Sequence, residues 1–263
     1  ILEVSLGRRD SLYVSDGADG SISVFTPDHT FDRSFRPSDG DPDRLLIPPA
    51  EQNAQSPSDF YFVSMPFSRA IVDEDAEAAV LRTSPGGAVT DTLFTTPHER
   101  IAFNETDGGY VFARIPFASE PRYAMGPQGR IHYAWSDSLK VTAYNASGRS
   151  VRTINIPFDP IPVRDADVAT ELEGRSRIRD LVQPKIPETK PAFERFFVDP
   201  KGRYWFKRIT AASDSSDWWV ANPTTRQVDV LTLPRSVDLL QVDGTQVYGR
   251  VEGSDVVPAL VRY

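Results

Sequence analysis

The most informative absence in this chain of 263 residues is cysteine, which does not occur at all. Without a thiol the protein cannot form disulfides, bind zinc or iron–sulfur clusters through cysteine, or use a thiolate as a nucleophile. The absence reports only weakly on the redox compartment, because an exported protein can do without disulfides.

Long hydrophobic runs and clusters of basic residues are missing as well. The longest nearly apolar run covers residues 76–81, includes Glu77 and is far shorter than the roughly 20 residues that span a bilayer. The net charge is −8, and phosphate recognition depends on concentrated Lys and Arg. The sequence therefore predicts no transmembrane segment and no nucleic-acid partner.

Common catalytic motifs are also absent, including the G-x-S-x-G elbow, the phosphate loop and the G-x-G-x-x-G fingerprint. The segment from His98 begins like a zinc-protease helix, but Ala102 stands where the second histidine is required. His29 falls in a polar turn. His132 falls in a predicted strand beside Tyr133, where we expect a hydrogen-bonded packing role. No residue is predicted as catalytic, cofactor-binding or metal-binding.

One acidic segment has the alternating carboxylates of a calcium loop, namely Asp39, Asp41 and Asp43. The rest of the EF-hand pattern fails, because Arg44 occupies the place of the required glycine and Ala50 that of the bidentate glutamate. We interpret this segment as a surface loop.

A repeated β pattern is the main positive feature of the chain. Between residues 123 and 157, three apolar runs (131–135, 140–144 and 151–156) are separated by turn residues. The same order of inner run, turn, middle run, polar turn and outer run occurs five times. The other copies lie at 11–35, 59–94, 196–234 and 237–263, and the second is the least regular. It includes a run at 70–72, and a further run at 110–115 either ends it or begins a short extra copy.

Two stretches interrupt this rhythm. Residues 36–58 are polar and proline-rich, with Leu45-Leu46-Ile47 as the only apolar anchor, which indicates a long loop. A helical and proline-rich insertion is predicted at 158–192, with one helix near 165–182 that Asp165 caps. Its candidate apolar positions are Val168, Leu172, Leu181 and Val182, and Glu171 and Arg175 form an i,i+4 pair.

The repeats favour a propeller, because each small sheet has two apolar faces and needs a neighbour on both sides. Trp205 and one of Trp218 and Trp219 are expected to fill the space between blades. Residues 1–6 are expected to close the ring by pairing with the last sheet. A two-layer sandwich is the alternative, left open by the irregular stretch at 36–115.

Residues 11–14 with 24–28, and residues 193–205, resemble bacterial six-bladed β-propeller proteins related to the NHL and TolB types. The resemblance implies an all-β fold: a β-propeller of five or six blades within a single domain, 1–263. Only five copies are visible and the chain begins at Ile1, so we expect that an N-terminal segment is removed or absent.

This interpretation predicts a non-catalytic propeller that recognises a protein or ligand. We expect the protein to be exported to the periplasm or the extracellular space, and to serve as an accessory subunit of a larger, membrane-associated assembly. The alternative is a calcium-type, metal-dependent hydrolase or lactonase with a site in the central cavity. That alternative follows from similarity in presumed architecture to propeller lactonases, which place carboxylates and asparagines around a central metal. Asp16, Asn104 and Glu105 are the residues that would converge there.

Overall fold

A computed structural model of the chain describes residues 3–6, 12–15, 21–36, 44–47, 60–66, 76–84, 86–106, 109–210, 214–243, 246–253 and 256–262. The strands are β1 (Glu3–Leu6), β2 (Leu12–Ser15), β3 (Ile22–Phe25), β4 (Phe31–Phe35), β5 (Arg44–Ile47), β6 (Phe60–Pro66), β7 (Glu77–Thr83), β8 (Val89–Pro97), β9 (Ile101–Thr106), β10 (Gly109–Arg114), β11 (Pro121–Gly126), β12 (Arg130–Trp135), β13 (Leu139–Tyr144), β14 (Ser150–Ile156), β15 (Phe193–Val198), β16 (Tyr204–Arg208), β17 (Ser215–Ala221), β18 (Val228–Pro234), β19 (Val237–Asp243), β20 (Gln246–Gly253) and β21 (Val256–Arg262). Two short helices, α1 (Asp165–Glu171) and α2 (Ser176–Val182), lie between β14 and β15.

The described strands form six antiparallel sheets; five of them follow one another along the chain as the main sheets, and the sixth is the two-stranded sheet of β9 and β10. The first sheet is β1-β2-β3-β4, the second β5-β6-β7-β8, the third β11-β12-β13-β14, the fourth β15-β16-β17-β18 and the fifth β19-β20-β21. These sheets correspond to the five predicted copies. The sequence analysis expected residues 1–6 to pair with the last sheet. This prediction is wrong for β1, because Glu3 pairs with Ser15 and β1 belongs to the first sheet.

Neighbouring sheets pack face to face, which buries the two apolar faces that the sequence predicts for each sheet. In the third sheet, Tyr123 and Met125 pack toward the second sheet, whereas Ala124 between them packs toward the fourth. In the fourth sheet, Tyr204 and Phe206 pack toward the third sheet, and Trp205 packs toward the fifth. The strand period of two thus places one hydrophobic cluster on each side of a sheet. The result is the radial stack of a β-propeller.

Burial falls from the first strand to the last within a sheet. Most of β11 and β15 is buried, whereas β4, β14 and β18 are largely exposed, with Val230 on β18 at 59% exposure. In the third and fourth sheets the first strand is therefore innermost and the fourth outermost. The outer runs predicted for these copies match β14 and β18, whereas the inner run predicted for the third copy, 131–135, is its second strand, β12.

The helices pack on a hairpin that comes from a different part of the chain. β9 and β10 form a two-stranded sheet, and Ala102 and Ala113 from this hairpin share a buried cluster with Leu172 and Val182. The run at 110–115 is thus one arm of this hairpin. Because the hairpin follows the second sheet and the helices follow the third, two insertions form one accessory layer.

The predicted helix at 165–182 is corrected in two respects. The chain forms two helices, because the backbone leaves the helical region near Leu172 and Gly174 has a φ of +71°. Arg164, not Asp165, is the N-cap residue, and Asp167 accepts a hydrogen bond from its backbone N–H at 3.0 Å. The expected Glu171–Arg175 pair is present, at 4.0 Å.

Two strand assignments from the sequence are also corrected. Leu45-Leu46-Ile47 is not a loop anchor, because Arg44–Ile47 forms β5 and pairs with β6. The third copy has a strand that the pattern missed, β11, which pairs with β12 from Pro121↔Trp135 to Gly126↔Arg130. The pattern missed this strand because Pro121 and Gly126 at its ends are typical turn residues. The run predicted at 70–72 lies outside the described residues.

In the part of the chain that the structure describes, no helix is long and apolar enough to cross a membrane.

Candidate anion-binding cleft

A cavity of about 320 Å³ opens between the third and fourth sheets, at the end where β11 turns into β12 and β15 turns into β16. We call it the basic cleft. Its charged and polar lining consists of Arg130, His132, Arg152, Lys201, Tyr204, Gln128 and Thr224.

The register of the third sheet explains why distant residues meet here. Ala124 pairs with His132, His132 pairs with Ala143, and Ala143 pairs with Arg152. Paired residues share a face of a sheet, and Ala124 faces the fourth sheet. His132 and Arg152 therefore face it too, and Arg130, two residues before His132, follows by alternation.

The fourth sheet supplies the opposite wall through the turn between β15 and β16. Asp199 holds this turn: its carboxylate, with no exposed surface, accepts hydrogen bonds from the backbone N–H groups of Lys201 and Arg203, both at 2.9 Å. It also accepts from the Arg203 Nε at 2.6 Å and the Trp205 Nε1 at 3.0 Å. The buried Asp199 thereby sets the position of Lys201 at the cleft.

The basic cleft concentrates positive charge on an acidic protein. Arg130, Arg152 and Lys201 line it, and no aspartate or glutamate occurs among its described lining residues. Within the described ranges, no carboxylate forms an ion pair with any of these three cations. The cations repel one another, so an anion placed between them is attracted by all three.

His132 is the most unusual group in the cleft. The residue is only 5% exposed, and neither ring nitrogen has a hydrogen-bond partner in the described part of the chain. Burial, with added repulsion from Arg130 and Arg152, lowers the pKa of His132 to about 4. The imidazole is thus neutral at pH 7, and its N–H is a buried donor without a hydrogen-bond partner among the described residues.

Packing holds this imidazole in place. The Tyr204 ring lies edge-on to it, with ring centroids 5.3 Å apart. A Cβ atom on Gly126 would come within 2.4 Å of His132 Nε2, so only glycine leaves room for the ring. Burial raises the pKa of the Tyr204 hydroxyl, while Arg152 and Arg130 act against that rise. Tyr204 is therefore a neutral hydroxyl that can donate to an anion.

A second cavity, of about 250 Å³, lies at the opposite end of the same two sheets and has a mixed lining. Glu99, Glu120 and Glu194 line it together with Arg100 and Arg114. Burial raises the pKa of the Glu120 carboxyl and the neighbouring Glu99 raises it further, whereas Arg122 and Arg114 lower it. These opposite charges largely compensate each other, unlike those of the basic cleft.

The structure corrects the expected role of His132 and locates the other histidines. His132 is buried as predicted, but the hydrogen bond expected for it is missing from the described residues. His98 is also buried, with its Nδ1 2.7 Å from the Glu99 carbonyl oxygen, and Ala102 lies in β9 rather than in a helix. His29 is exposed in the turn between β3 and β4.

The residues considered for a metal site are not brought together by the described structure. Asp16, Asp39, Asp41 and Asp43 lie outside the described residues. Asn104 and Glu105 are exposed on β9, in the accessory hairpin. Among the described residues, no group of three or more His, Asp or Glu side chains is placed to hold a metal ion.

The tryptophans behave as the packing interpretation predicted. Trp205 and Trp218 are 4% and 0% exposed and pack between the fourth and fifth sheets. Trp219 alternates to the other face, where the Arg208 guanidinium lies 4.7 Å from its ring centroid. These rings therefore form the core rather than an exposed binding surface.

Sequence reasoning missed the basic cleft because its cations are far apart in the chain. A search for clustered Lys and Arg along the sequence finds nothing, since Arg130, Arg152 and Lys201 belong to two sheets. One signal was available: the two predicted hairpins at 131–156 imply a register that aligns His132 with Arg152.

The fold identifies the class of protein, a β-propeller, and comparison with solved structures agrees. A structure of oligogalacturonate lyase in complex with manganese is similar over 98% of this chain and 60% of its own, with a TM-score of 0.53 and 10% identity. The chain thus spans less than two thirds of that neighbour, and at this identity the likeness shows the fold alone.

Two further propeller structures are more distant. Inactive virginiamycin B lyase from Staphylococcus aureus, with quinupristin, matches 98% of this chain and 82% of its own at a TM-score of 0.43 and 9% identity. A PQQ-bound aldose sugar dehydrogenase from Streptomyces coelicolor matches 98% and 80% at a TM-score of 0.47 and 11% identity. No protein-family model and no curated protein matches the chain.

Proposed function

We propose that this protein is a non-catalytic recognition propeller that binds an anionic group of its ligand or protein partner in the basic cleft. One observation carries the proposal: three cations and a buried, unpartnered histidine line a single cavity in which no acidic residue is found among the described lining. If these cations had only a structural role, we would expect each to have a carboxylate partner. Arg203 is an example, because it forms an ion pair with Asp199.

The surroundings of the cleft support binding rather than catalysis. The imidazole of His132 is held neutral with a pKa of about 4, well below the range in which a general base works near pH 7. No nucleophile with an adjacent base lines the cleft in the described chain. The cleft offers hydrogen-bond donors and positive charge, which together orient and hold an anion.

The proposal includes export and membership of a larger assembly. A thiol-free, acidic chain suits a periplasmic or extracellular setting, where a scaffold can present its loops to a partner. Relationship to the six-bladed NHL and TolB-type propellers is part of the same proposal. Cell fractionation of the native source tests export, and recovery of the protein in the cytoplasmic fraction would contradict it.

Titration calorimetry with inorganic phosphate tests the site itself. We expect the wild-type protein to bind phosphate with an affinity that falls as salt rises. The double variant Arg130→Ala/Arg152→Ala should bind at least about tenfold more weakly, because a hydrogen bond to a charged group contributes roughly 1.5–3 kcal/mol.

Lys140→Ala is the matched control. Lys140 lies on β13 of the same sheet, is exposed, and pairs with Asn155 near the other end of that strand. Its removal takes away one positive charge without touching the cleft. The double variant removes two positive charges and the control one. A loss of binding free energy in the control of about half that in the double variant would therefore refute the proposed site, since it would reveal only a response to net charge.

A further inference from the structure

We propose that the group bound in the basic cleft is the dianionic phosphate of a small phosphate monoester, and that the cleft selects it over a singly charged ester of the same shape. This inference rests on the proposed function, because it names the ligand class of the same site.

The charge of the cleft is the first step. Arg130, Arg152 and Lys201 supply three positive charges, and no carboxylate within the described lining offsets them. A carboxylate or sulfate ester would neutralise one of these charges and leave two cations facing each other. A phosphate monoester carries close to two negative charges at neutral pH, because its second pKa lies near 6.

The directions of the donors are the second step. Arg130 lies at the start of β12, Arg152 on the outer strand β14, and Lys201 on the facing turn of the fourth sheet. Arg130 and Arg152 thus come from the third-sheet wall and Lys201 from the opposite wall, and donors on both walls suit a tetrahedral group, whose three terminal oxygens point in different directions. A planar carboxylate accepts hydrogen bonds from one edge and would leave some of these donors unused.

The uncharged donors are the third step. His132 has a buried ring with no hydrogen-bond partner among the described residues, which is costly unless a ligand provides one. Tyr204, Gln128 and Thr224 add further donors around the same cavity. A phosphate has enough lone pairs to accept from several of them at once.

The size of the cavity indicates an ester rather than free phosphate. Its volume of about 320 Å³ lies at the lower end of the roughly 300–1,000 Å³ of small-molecule sites. Pro127, Pro200 and Pro223 line it and stiffen the turns around it. Space for a small organic group therefore remains beside the phosphate.

The protonation of His132 reports whether the basic cleft holds a ligand. The charged groups that act on it are Arg130 on its own strand and Arg152 on β14, and the Tyr204 ring on β16 contacts it; Lys201 on the facing turn lines the same cavity, and Gly126 beside the ring is uncharged. A bound dianion offsets the cations, so the imidazole gains a proton more easily when the ligand is present. Its NMR signals should then titrate at a higher pH with ligand than without it.

The decisive experiment compares glucose 6-phosphate with glucose 6-sulfate by calorimetry at pH 8 and pH 5. The two esters have the same shape and differ by one charge at pH 8. We expect the phosphate to bind at least about tenfold more tightly at pH 8, from one extra charge-assisted hydrogen bond. The preference should shrink at pH 5, where the phosphate becomes a monoanion.

Variants connect this preference to the cleft. Arg130→Ala/Arg152→Ala should abolish it, and Lys140→Ala should retain it. Should the double variant fail to fold, Lys201→Ala serves instead, because Lys201 is an exposed turn residue. It should reduce the preference several-fold.

The possible results separate the two proposals. Equal affinity for both esters, lost in the double variant, would leave the anion cleft standing and overturn its selection of phosphate. Failure of phosphate and both esters to bind would overturn both proposals. Tight binding that survives in the double variant would place the site elsewhere and overturn both as well.

Discussion

His132 shows at the scale of one residue how burial and charge act together. Its pKa falls from 6.5 to about 4, chiefly through burial and further through Arg130 and Arg152. A histidine with a depressed pKa contributes stability that is present above the pKa of the unfolded chain and is lost as the pH falls through the folded value. The window of loss therefore runs from about pH 6.5 down to pH 4.

We predict that the free energy of unfolding falls by about 3 kcal/mol more across this window in the wild-type protein than in His132→Gln. Urea unfolding at pH 7 and pH 4 measures the difference. His29→Gln is the control, because His29 is exposed and should leave the wild-type decline unchanged. Parallel pH profiles for wild type and His132→Gln would contradict the prediction.

Gly148 and Gly174 distinguish two reasons for a glycine: a left-handed backbone conformation, and the close approach of another segment of backbone. Both have positive φ, +74° and +71°. A Cβ atom on Gly148, in the turn after β13, would lie 2.1 Å from the Leu93 carbonyl oxygen of the second sheet, whereas a Cβ on Gly174 would contact nothing within 4 Å. The first glycine is required by packing between sheets, the second by its own turn.

We predict that Gly174→Ala costs roughly 1–2 kcal/mol, from the left-handed conformation alone. Gly148→Ala should cost about 1–3 kcal/mol more, because the second sheet must also move. Chemical denaturation of the two variants measures both values. Equal destabilisation would show that the contact with Leu93 relaxes without cost.

At the scale of elements, turns of one type recur along the chain with different burial. Asn145 in the turn after β13 accepts hydrogen bonds from the backbone N–H groups of Ser147 and Arg149, at 3.1 and 3.0 Å. Asn222 after β17 does the same for Thr224 and Thr225. These short polar side chains are the turn chemistry that made the copies visible in the sequence.

Asp199 is the buried member of this group, and we predict that Asp199→Ala costs about 3–5 kcal/mol. Its removal leaves Arg203 and the Trp205 N–H without their acceptor. The same variant should weaken phosphate binding, because Lys201 loses the hydrogen bond that positions its backbone.

Asn145→Ala is the matched control for Asp199→Ala. It removes an equivalent turn acceptor that lies outside the cleft, and it should cost only about 1 kcal/mol and leave phosphate affinity unchanged. Thermal unfolding of both variants measures the stability cost, and titration calorimetry measures the phosphate affinity. A phosphate affinity unaffected by Asp199→Ala would show that the turn does not position Lys201.

The whole molecule is acidic, and this charge bears on the calcium-dependent alternative. Excess carboxylates attract cations weakly over the surface, whereas a specific site stabilises the fold by mass action, by about 2.7 kcal/mol at 100 times the Kd. For a protein of this size that corresponds to a Tm increase of roughly 5–10 °C.

We predict that millimolar Ca²⁺ raises the Tm by less than about 1 °C, with Mg²⁺ as the control for ionic strength. Differential scanning calorimetry measures the shift. A Ca²⁺-specific rise of several degrees would favour the hydrolase or lactonase hypothesis and direct attention to Asp16 and the acidic segment at 39–43.

Much of the architecture could be predicted from local patterns, and the errors have physical causes. The strands at 131–156 and 196–234 were visible because alternation and turn residues lie within one hairpin. β5 was missed because Arg44–Ile47 is a short strand that becomes one only by pairing with β6. The break between α1 and α2 was missed because the apolar spacing continues across Gly174.

The β repeats, the turns between them and the need of each sheet for neighbours on both faces can be predicted from the amino-acid sequence, because they follow from alternation between adjacent residues. The packing of the helices on the β9–β10 hairpin, and the cleft lined by Arg130, His132, Arg152 and Lys201, become visible only in the folded chain. That cleft depends on cross-strand register and on contact between two sheets, and neither is encoded at any single position of the chain.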